Sequence, residues 1–217
     1  MIAIDGPSGA GKSTAGKTLA LRLGYTFVDT GAMYRALALR ALESGVPLSD
    51  QARLAELAGS ARIELVDGGR GVVLDGETVT ARLRTREVSA AASVVSAHPG
   101  VRRAMVARQR EMGLAGGVVL DGRDIGTAVF PDAELKFYVD AEPVRRAERR
   151  HEELLTAGVD SDVVAIEREI RARDHADMTR TDSPLTRAAD AIHIDTTGLT
   201  QDEVVQRMLD CVRAASA

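Results

Sequence analysis

The sequence predicts an α/β fold, with a five-stranded parallel sheet covered by helices on both faces. Short apolar runs that contain β-branched residues alternate with longer stretches of helical period, which is the pattern of a sheet buried between helices. A glycine-rich loop separates the first apolar run from the first helical stretch. A chain of 217 residues is long enough for one core with small insertions, but short for two full domains.

The strands of the sheet are predicted from five apolar runs. These are Ile2–Asp5, Thr26–Asp29, Val118–Asp121, Leu135–Val139 and Ala191–Ile194. In open α/β sheets, ligands bind in the crevice beyond the carboxyl ends of the strands. The residues that end or follow these runs are therefore candidate site residues.

Glycines and capping residues predict the limits of three helices. Helix Lys12–Leu23 is expected to end at Gly24, and helix Met33–Ser44 at Gly45, because glycine adopts the left-handed C-cap conformation at low cost. The last helix is expected to begin at the capping box Thr200-Gln201-Asp202-Glu203.

Two segments depart from the alternation of strands and helices. Arg62–Thr80 contains the turn sequences Asp67-Gly68-Gly69 and Asp75-Gly76, which predict a small antiparallel insertion. From Pro143 to about Ala189 the chain forms two polar helical stretches, interrupted at Gly158. Their composition fits solvated surface helices and a mobile lid equally well.

Composition and charge exclude several classes of function. The formal net charge of −4 argues against general nucleic-acid binding, and the chain has no run of about 18 apolar residues that could span a membrane. Cys211 is the only cysteine, so an intramolecular disulfide is impossible and oxygen atoms would have to hold any metal. The N-terminal residues lack the regions of a secretory signal, and a cytoplasmic location is expected.

The strongest motif is a phosphate-binding loop. Gly6-Pro7-Ser8-Gly9-Ala10-Gly11-Lys12-Ser13 fits G-x-x-x-x-G-K-[ST] and lies between a predicted strand and a predicted helix, as the motif requires. Its backbone N–H groups and the helix N-terminus would surround a nucleotide phosphate. Lys12 would contact the β and γ oxygens, and Ser13 would offer a hydroxyl to Mg²⁺. The flanking strand and helix argue against a chance glycine-rich turn.

The phosphate loop leaves GTPases, motor ATPases and small-molecule kinases open. Asp121 ends a predicted strand, where an acidic residue is expected to hold Mg²⁺ or its water shell. It could also be a turn-forming residue before Gly122. Arg123 and Asp124 follow directly and add an anion-binding and a hydrogen-bond-accepting group at the crevice.

Three longer stretches carry a resemblance to a known family. Asp29-Thr30-Gly31-Ala32-Met33-Tyr34-Arg35, Asp121-Gly122-Arg123-Asp124-Ile125-Gly126-Thr127 and Arg173-Asp174-His175-Ala176-Asp177-Met178-Thr179-Arg180 resemble, in order, the signatures of bacterial cytidylate kinases. Ser183-Pro184-Leu185 and Ile194-Asp195-Thr196-Thr197 extend the similarity over nearly the whole chain. This family of P-loop nucleoside monophosphate kinases implies a P-loop kinase fold with an acceptor-binding insertion and a helical lid.

The resemblance also implies a set of site residues. ATP would be bound by Gly6, Pro7, Ser8, Gly9, Ala10, Gly11, Lys12, Ser13 and Thr14. CMP would be bound by Thr30, Tyr34, Arg35, Ser93, Arg102, Arg123, Asp124, Arg173, Asp177 and Arg180. The catalytic group would comprise Lys12, Arg123 and Asp121, with Ser13 and Asp121 at the metal.

Several of these side chains have a plainer interpretation that the sequence leaves open. Arg102 lies in the helix-like run Val101–Met112 among other arginines, where a solvated face is also expected. Ser93 stands among alanines and valines, where serine is often only a small helix-face residue. The lid arginines combine surface charge with contacts to ATP in an unknown proportion; they are Arg145, Arg146, Arg149 and Arg150.

The resemblance predicts one domain over residues 1–217 that transfers the γ-phosphate of ATP, with Mg²⁺, to CMP or dCMP. The core would comprise about 1–40, 84–145 and 185–217, the insertion about 60–82 and the lid about 146–173. A monomer without nucleic-acid or membrane partners is expected. The alternatives are a kinase for UMP, AMP or shikimate, and a nucleotide-dependent switch, against which the missing Asn-Lys-x-Asp sequence argues.

Overall fold

A computed structural model describes residues 1–215 of the chain, and its strands form two sheets. The strands are β1 Ile2–Asp5, β2 Thr26–Asp29, β3 Ile63–Val66, β4 Gly71–Leu74, β5 Glu77–Thr78, β6 Val118–Gly122, β7 Leu135–Asp140 and β8 Ile192–Asp195. The larger sheet has the order β2-β6-β1-β7-β8, and all its pairs are parallel. The predicted five-stranded parallel sheet is confirmed.

Helices pack on both faces of this sheet. They are α1 Lys12–Leu23, α2 Thr30–Glu43, α3 Gln51–Ser60, α4 Arg86–Val95, α5 Pro99–Gly113, α6 Pro143–Thr156, α7 Val163–Thr179 and α8 Gln201–Ala215. One apolar cluster joins the sheet to α2, α3, α4 and α5, and a second joins it to α1 and α8. The apolar residues of the strands are therefore buried from both sides, which explains why they read as continuous apolar runs.

The predicted insertion is an antiparallel sheet of order β3-β4-β5. Leu65 pairs with Val72 in its register, and the buried residues of β4 belong to the same apolar cluster as α2. The turn between β3 and β4 passes close to the large sheet at Gly69, where φ is 81° and a Cβ would lie 2.4 Å from the Phe27 carbonyl oxygen. Only glycine fits this contact.

The helix limits differ from the prediction at α2. α2 begins at Thr30 rather than Met33, because the Asp29 side chain accepts a hydrogen bond from the Ala32 N–H at 2.7 Å and caps an earlier turn. At its other end α2 stops at Glu43 with Ser44 as the C-cap, and the predicted Gly45 follows it with a φ of 62°. The remaining caps are confirmed: Gly24 ends α1 at φ 67°, and the Thr200–Glu203 capping box begins α8.

The polar segment that begins at Pro143 forms two helices, α6 and α7, as predicted. Gly158, which has a φ of 74°, lies in the connection between these two helices. No helix within residues 1–215 is long and apolar enough to cross a membrane.

Candidate active site

The phosphate loop connects β1 to α1 in a conformation that requires glycine. Gly6 has φ 143°, and a Cβ there would lie 1.9 Å from the Val139 carbonyl oxygen. Gly9 and Gly11 also have positive φ values, of 79° and 91°. The loop can therefore turn its backbone toward a ligand at the carboxyl end of the sheet.

Lys12 is buried at the start of α1 and is held by the loop itself. Its ammonium group donates to the Pro7 carbonyl at 2.7 Å. Burial, followed by the positive charge of Arg123, lowers the pKa of Lys12 to about 7, although Asp121 and Asp5 oppose this shift. A phosphate anion at the loop would stabilise the charged form of this lysine.

Ser13 and Asp121 meet at the end of β6. The Ser13 hydroxyl donates to Asp121 Oδ2 at 2.5 Å. Burial, followed by the charge of Asp29, raises the pKa of Asp121 to about 7. Asp121 lies on the strand itself, which excludes its interpretation as a turn residue. The Thr30 hydroxyl donates to the backbone carbonyl of Asp121 at 2.7 Å and so connects α2 to the end of β6.

These oxygens fit a hard cation. A hydroxyl and a buried carboxylate are ligands that Mg²⁺ accepts, and Mg²⁺ usually keeps several waters and binds substrate phosphates as well. Within the described residues, no group of three or more His, Cys, Asp or Glu side chains could hold a metal ion by itself.

Arginines surround the crevice beyond the phosphate loop. Arg35 pairs with Asp29 at 3.1 Å, and Arg123 Nε donates to Asp177 Oδ2 at 2.9 Å. Arg173 approaches the phosphate loop, with its Nη1 3.5 Å from the Ser8 hydroxyl. Burial and then the charge of Arg123 lower the pKa of Arg173 to about 10, and Arg35 acts in the same direction. Their positive charges are thus close enough to oppose one another.

Asp177 on α7 adds a second negative charge to this cluster, beside that of Asp29. Burial alone would raise its pKa, but the charge and hydrogen bond of Arg123 lower the pKa below its usual value, and Arg173 and Arg180 add to this effect. Asp177 is therefore ionised and holds Arg123 in place.

Arg102, Asp124 and Arg180 form a second buried cluster. Arg102 Nη2 donates to Asp124 Oδ2, and Arg180 Nη2 lies 3.6 Å from Asp124 Oδ1. The Tyr34 ring centre is 5.9 Å from the Arg102 guanidinium carbon. Arg102 is 2% exposed, so its interpretation as part of a solvated face was wrong.

Both clusters contain buried donor atoms without a hydrogen-bond partner within the described residues. They are Arg35 Nε, Arg102 Nε, Arg173 Nε and Arg180 Nη2. An unsatisfied buried donor costs about 1–3 kcal/mol, which makes such groups uncommon in folded proteins. A ligand that carries acceptor atoms would satisfy these donors.

The remaining predicted residues differ in how they relate to these clusters. Ala10 is buried, and its carbonyl accepts a hydrogen bond from the Thr196 hydroxyl at 2.9 Å, whereas Thr14 is exposed on α1. Ser93 is half-buried on α4, and its hydroxyl makes no hydrogen bond to another described residue. The structure thus brings together the predicted arginines and aspartates but does not tie Ser93 to them.

The four arginines Arg145, Arg146, Arg149 and Arg150, which all lie on α6, divide into two kinds. Arg145 and Arg150 are partly exposed and pair with glutamates on their own helix. Arg146 is 2% exposed and donates to the Ser8 carbonyl at 3.0 Å and to Asp174 Oδ2 at 2.6 Å. Arg149 donates to the Thr196 hydroxyl at 3.1 Å. Arg146 and Arg149 thus connect α6 to the phosphate loop and to the loop after β8.

Sequence reasoning named the residues but did not predict three supporting contacts of the site. Asp5 accepts two hydrogen bonds from the segment after Asp124, Arg146 with Asp174 joins α6 to α7, and the Thr196 hydroxyl donates to the phosphate loop. Asp5 stands directly before Gly6 at the end of a predicted strand, and Asp174 and Thr196 lie in the stretches that carry the family resemblance.

The chain is similar in sequence to known proteins over nearly its whole length. The family model described as cytidylate kinase matches residues 2–214. Cytidylate kinase from Symbiobacterium thermophilum is 51% identical over 96% of this chain and 94% of its own length. Cytidylate kinase from Geobacillus thermodenitrificans is 50% identical over 97% of this chain and 95% of its own length.

The fold also has a solved counterpart. Shikimate kinase from Acinetobacter baumannii, in complex with shikimate, aligns with a TM-score of 0.50 and 17% identity over 98% of this chain and 92% of that chain. At this identity the likeness concerns the fold alone, which is that of a P-loop kinase. On the family match and the near-complete alignments, the chain belongs to the cytidylate kinase family of nucleotide-dependent phosphotransferases.

Proposed function

We propose that this enzyme transfers the γ-phosphoryl group of ATP to CMP or dCMP and releases ADP with CDP or dCDP. The phosphate loop is the proposed ATP site, and the arginine clusters are the proposed CMP site. The antiparallel sheet would be the acceptor-binding insertion, about 60–82, and the helices α6 and α7 would contribute the lid, about 146–173.

The observation that carries this proposal is a set of buried guanidinium nitrogen atoms that have no hydrogen-bond partner within residues 1–215. Arg35 and Arg173 each keep a buried Nε that has no hydrogen-bond partner among the described residues, and the charge of Arg123 opposes that of Arg173. A phosphate dianion would satisfy these donors and reduce the repulsion between the arginines. The site therefore favours a phosphorylated acceptor over an uncharged alcohol.

The reaction needs no covalent intermediate on the protein. An oxygen of the CMP phosphate attacks the γ-phosphorus of ATP, and the bond from that phosphorus to the β,γ-bridging oxygen breaks, with both electrons leaving on ADP. The attacking phosphate oxygen is already ionised, so no general base has to remove a proton. The protein contributes alignment and positive charge, with Lys12 at the β and γ oxygens and Arg123 at the acceptor.

Magnesium is part of the proposal. Ser13 and Asp121 would hold the ion together with the nucleotide, and the bound ion would neutralise charge on the phosphates of ATP. The raised pKa of Asp121, about 7, is consistent with a buried carboxylate that becomes fully ionised beside a cation.

The second buried cluster is the proposed cytosine site. Asp124 can accept from the exocyclic amino group of cytosine, and Arg102 and Arg180 can donate to its ring acceptors. UMP has a carbonyl where CMP has the amino group, so UMP would face Asp124 with acceptor against acceptor. A site built for one hydrogen-bond pattern discriminates strongly against a base that leaves its groups unpaired.

An acceptor panel tests this proposal. Release of ADP is followed with ATP, Mg²⁺ and, in separate wells, CMP, dCMP, UMP, AMP, GMP or shikimate. We expect fast release with CMP and dCMP and much slower release with the others. Preference for another acceptor would refute the cytosine site, and ATP hydrolysis that ignores every acceptor would refute the kinase reaction.

A further inference from the structure

Asp5 is a buried carboxylate at the end of β1, and its chemistry is not used by the proposed reaction. It is 5% exposed. Its Oδ1 accepts a hydrogen bond from the Ile125 N–H at 2.7 Å, and its Oδ2 accepts one from the Gly126 N–H, also at 2.7 Å. Both oxygens are therefore committed to one short backbone segment, 120 positions away along the chain.

This segment directly follows Arg123 and Asp124. It is one turn of π-helix, Ile125–Val129, in which the carbonyls of Asp124 and Ile125 accept hydrogen bonds from later residues. The first N–H groups of such a turn have no carbonyl partner within it. Asp5 supplies acceptors for the first two of these groups, at Ile125 and Gly126, and as an anion it makes stronger hydrogen bonds than a neutral group would.

The segment is also tightly packed. A Cβ on Gly126 would lie 3.0 Å from Lys136 Cδ and 3.4 Å from Asp5 Oδ2. Asp5 itself pairs with Gly122 in the sheet and continues directly into Gly6 of the phosphate loop. The Asp5 side chain thus links the proposed ATP loop to the segment that directly follows the proposed CMP residues Arg123 and Asp124.

We propose that Asp5 is a positioning residue, which fixes Arg123 and Asp124 relative to the phosphate loop and thereby aligns CMP with bound ATP. The inference rests on the proposed function, because it assigns a role within that reaction. Asp5 acts through Ile125 and Gly126 and does not touch the reacting atoms.

The cost of this arrangement supports a role beyond stability. Burial raises the pKa of Asp5 to about 6, even though the hydrogen bonds from Gly126 and Ile125 oppose the shift. At neutral pH the side chain is still an anion, and its desolvation costs stability. What the Asp5 carboxylate provides in return is a fixed position for the segment that begins at Ile125.

Asp5→Asn is the variant that tests the inference. Asparagine is nearly isosteric, but it offers one carbonyl acceptor and turns its NH₂ toward the second N–H. We expect the KM for CMP to rise on the order of tenfold, from loss of one charge-assisted hydrogen bond, while the KM for ATP changes less than about threefold. The ratio of CMP to UMP activity is also expected to fall.

A second readout does not depend on the reaction. Amide hydrogen exchange measured by NMR is expected to show about tenfold or greater loss of protection at Ile125 or Gly126 in Asp5→Asn. Gly126→Ala reaches the same contact from the opposite side and is expected to give the same KM pattern if Asp5→Asn folds poorly. Val205→Ala is the control for general destabilisation, because Val205 lies in the apolar cluster with α1, on the other face of the sheet.

The outcomes separate the two claims. If the wild-type enzyme phosphorylates CMP but both KM values rise equally in Asp5→Asn, or Val205→Ala gives the same pattern, the positioning role is wrong. Unchanged amide exchange at both Ile125 and Gly126 also overturns it. If the wild-type enzyme does not phosphorylate CMP, the proposed function fails, and the positioning of CMP fails with it even where exchange shows that Asp5 holds the segment.

Discussion

The Ser13 hydroxyl lies 2.5 Å from Asp121 Oδ2, although 108 positions separate the two residues along the chain. The contact brings the start of α1 against the end of β6, beside the buried Lys12. The proposed reaction depends on the position of Lys12 beside this contact. Negative charge on the transferred phosphoryl group would meet the positive charge of Lys12, which the fold already holds in place.

Loss of Lys12 should affect turnover more than acceptor binding. We expect Lys12→Ala to lower kcat about 10²-fold or more, because its charge is needed most where the bond to ADP breaks, and to change the KM for CMP much less. Steady-state kinetics measure both values. Lys17→Ala is the matched control on the same helix, where Lys17 lies 5.7 Å from the centre of the Phe27 ring. Equally small effects on kcat and KM in Lys12→Ala would refute the assigned role.

Loss of Arg35 should weaken CMP binding. Arg35→Ala removes a guanidinium from the proposed acceptor phosphate, and one charge-assisted contact contributes about 1.5–3 kcal/mol, so the KM for CMP is expected to rise tenfold or more. Titration calorimetry with CMP measures the same loss without turnover. Arg145→Ala removes a partly exposed arginine paired with Glu148 and should leave CMP binding unchanged. Unaltered CMP affinity in Arg35→Ala would contradict the proposed phosphate contact.

Asp124 should determine the choice of base. In Asp124→Asn the side chain can donate as well as accept, so uracil gains a partner and cytosine loses part of one. We expect the ratio of kcat/KM for CMP over UMP to fall by about tenfold. Asp132→Asn, at an exposed aspartate, is the control. An unchanged CMP to UMP ratio in Asp124→Asn would show that the cytosine site lies elsewhere.

The titration of Asp5 predicts a pH dependence of stability. Its pKa is raised from 3.8 to about 6, first by burial and further by Asp124, while the backbone N–H groups and Lys12 oppose the shift. A raised carboxyl pKa stabilises the fold below the unfolded-state value, and that contribution is lost as the pH rises through the folded-state value. We expect the free energy of unfolding of the wild type, relative to Asp5→Asn, to fall by about 2.5 kcal/mol between about pH 4 and pH 7.

Urea denaturation at several pH values in that range measures this difference. The comparison between the two proteins removes the contributions of the other titrating groups. A difference that stays flat, or that rises with pH, would show that Asp5 is not the desolvated carboxylate described above.

Most of the fold could be predicted because its signals are local. Apolar runs predicted the five central strands, and glycines with φ values above zero marked the turns at Gly24, Gly69 and Gly158. α3 escaped prediction, since only Leu54 and Ala58 of its residues are buried, and its apolar pattern is correspondingly weak. The early start of α2 depends on the Asp29 cap, which outweighs the low helix propensity of Thr30 and Gly31.

The candidate site was only partly predictable, for a physical reason. Family signatures identified side chains such as Arg123 and Asp177, which the structure brings within 2.9 Å. The supporting contacts of Asp5 and Arg146 span 120 and 138 positions and use backbone N–H and carbonyl groups, which leave no trace in side-chain patterns. Burial of Arg102 likewise depends on packing between distant elements.

The most direct test follows the γ-phosphate itself. The wild-type enzyme is supplied with ATP that carries a radioactive γ-phosphate, Mg²⁺ and CMP, and the products are separated by anion exchange. The account predicts that the label appears in CDP in equal amount to the ADP released, with little inorganic phosphate. Label recovered as inorganic phosphate, or in no acceptor at all, would contradict direct transfer to CMP.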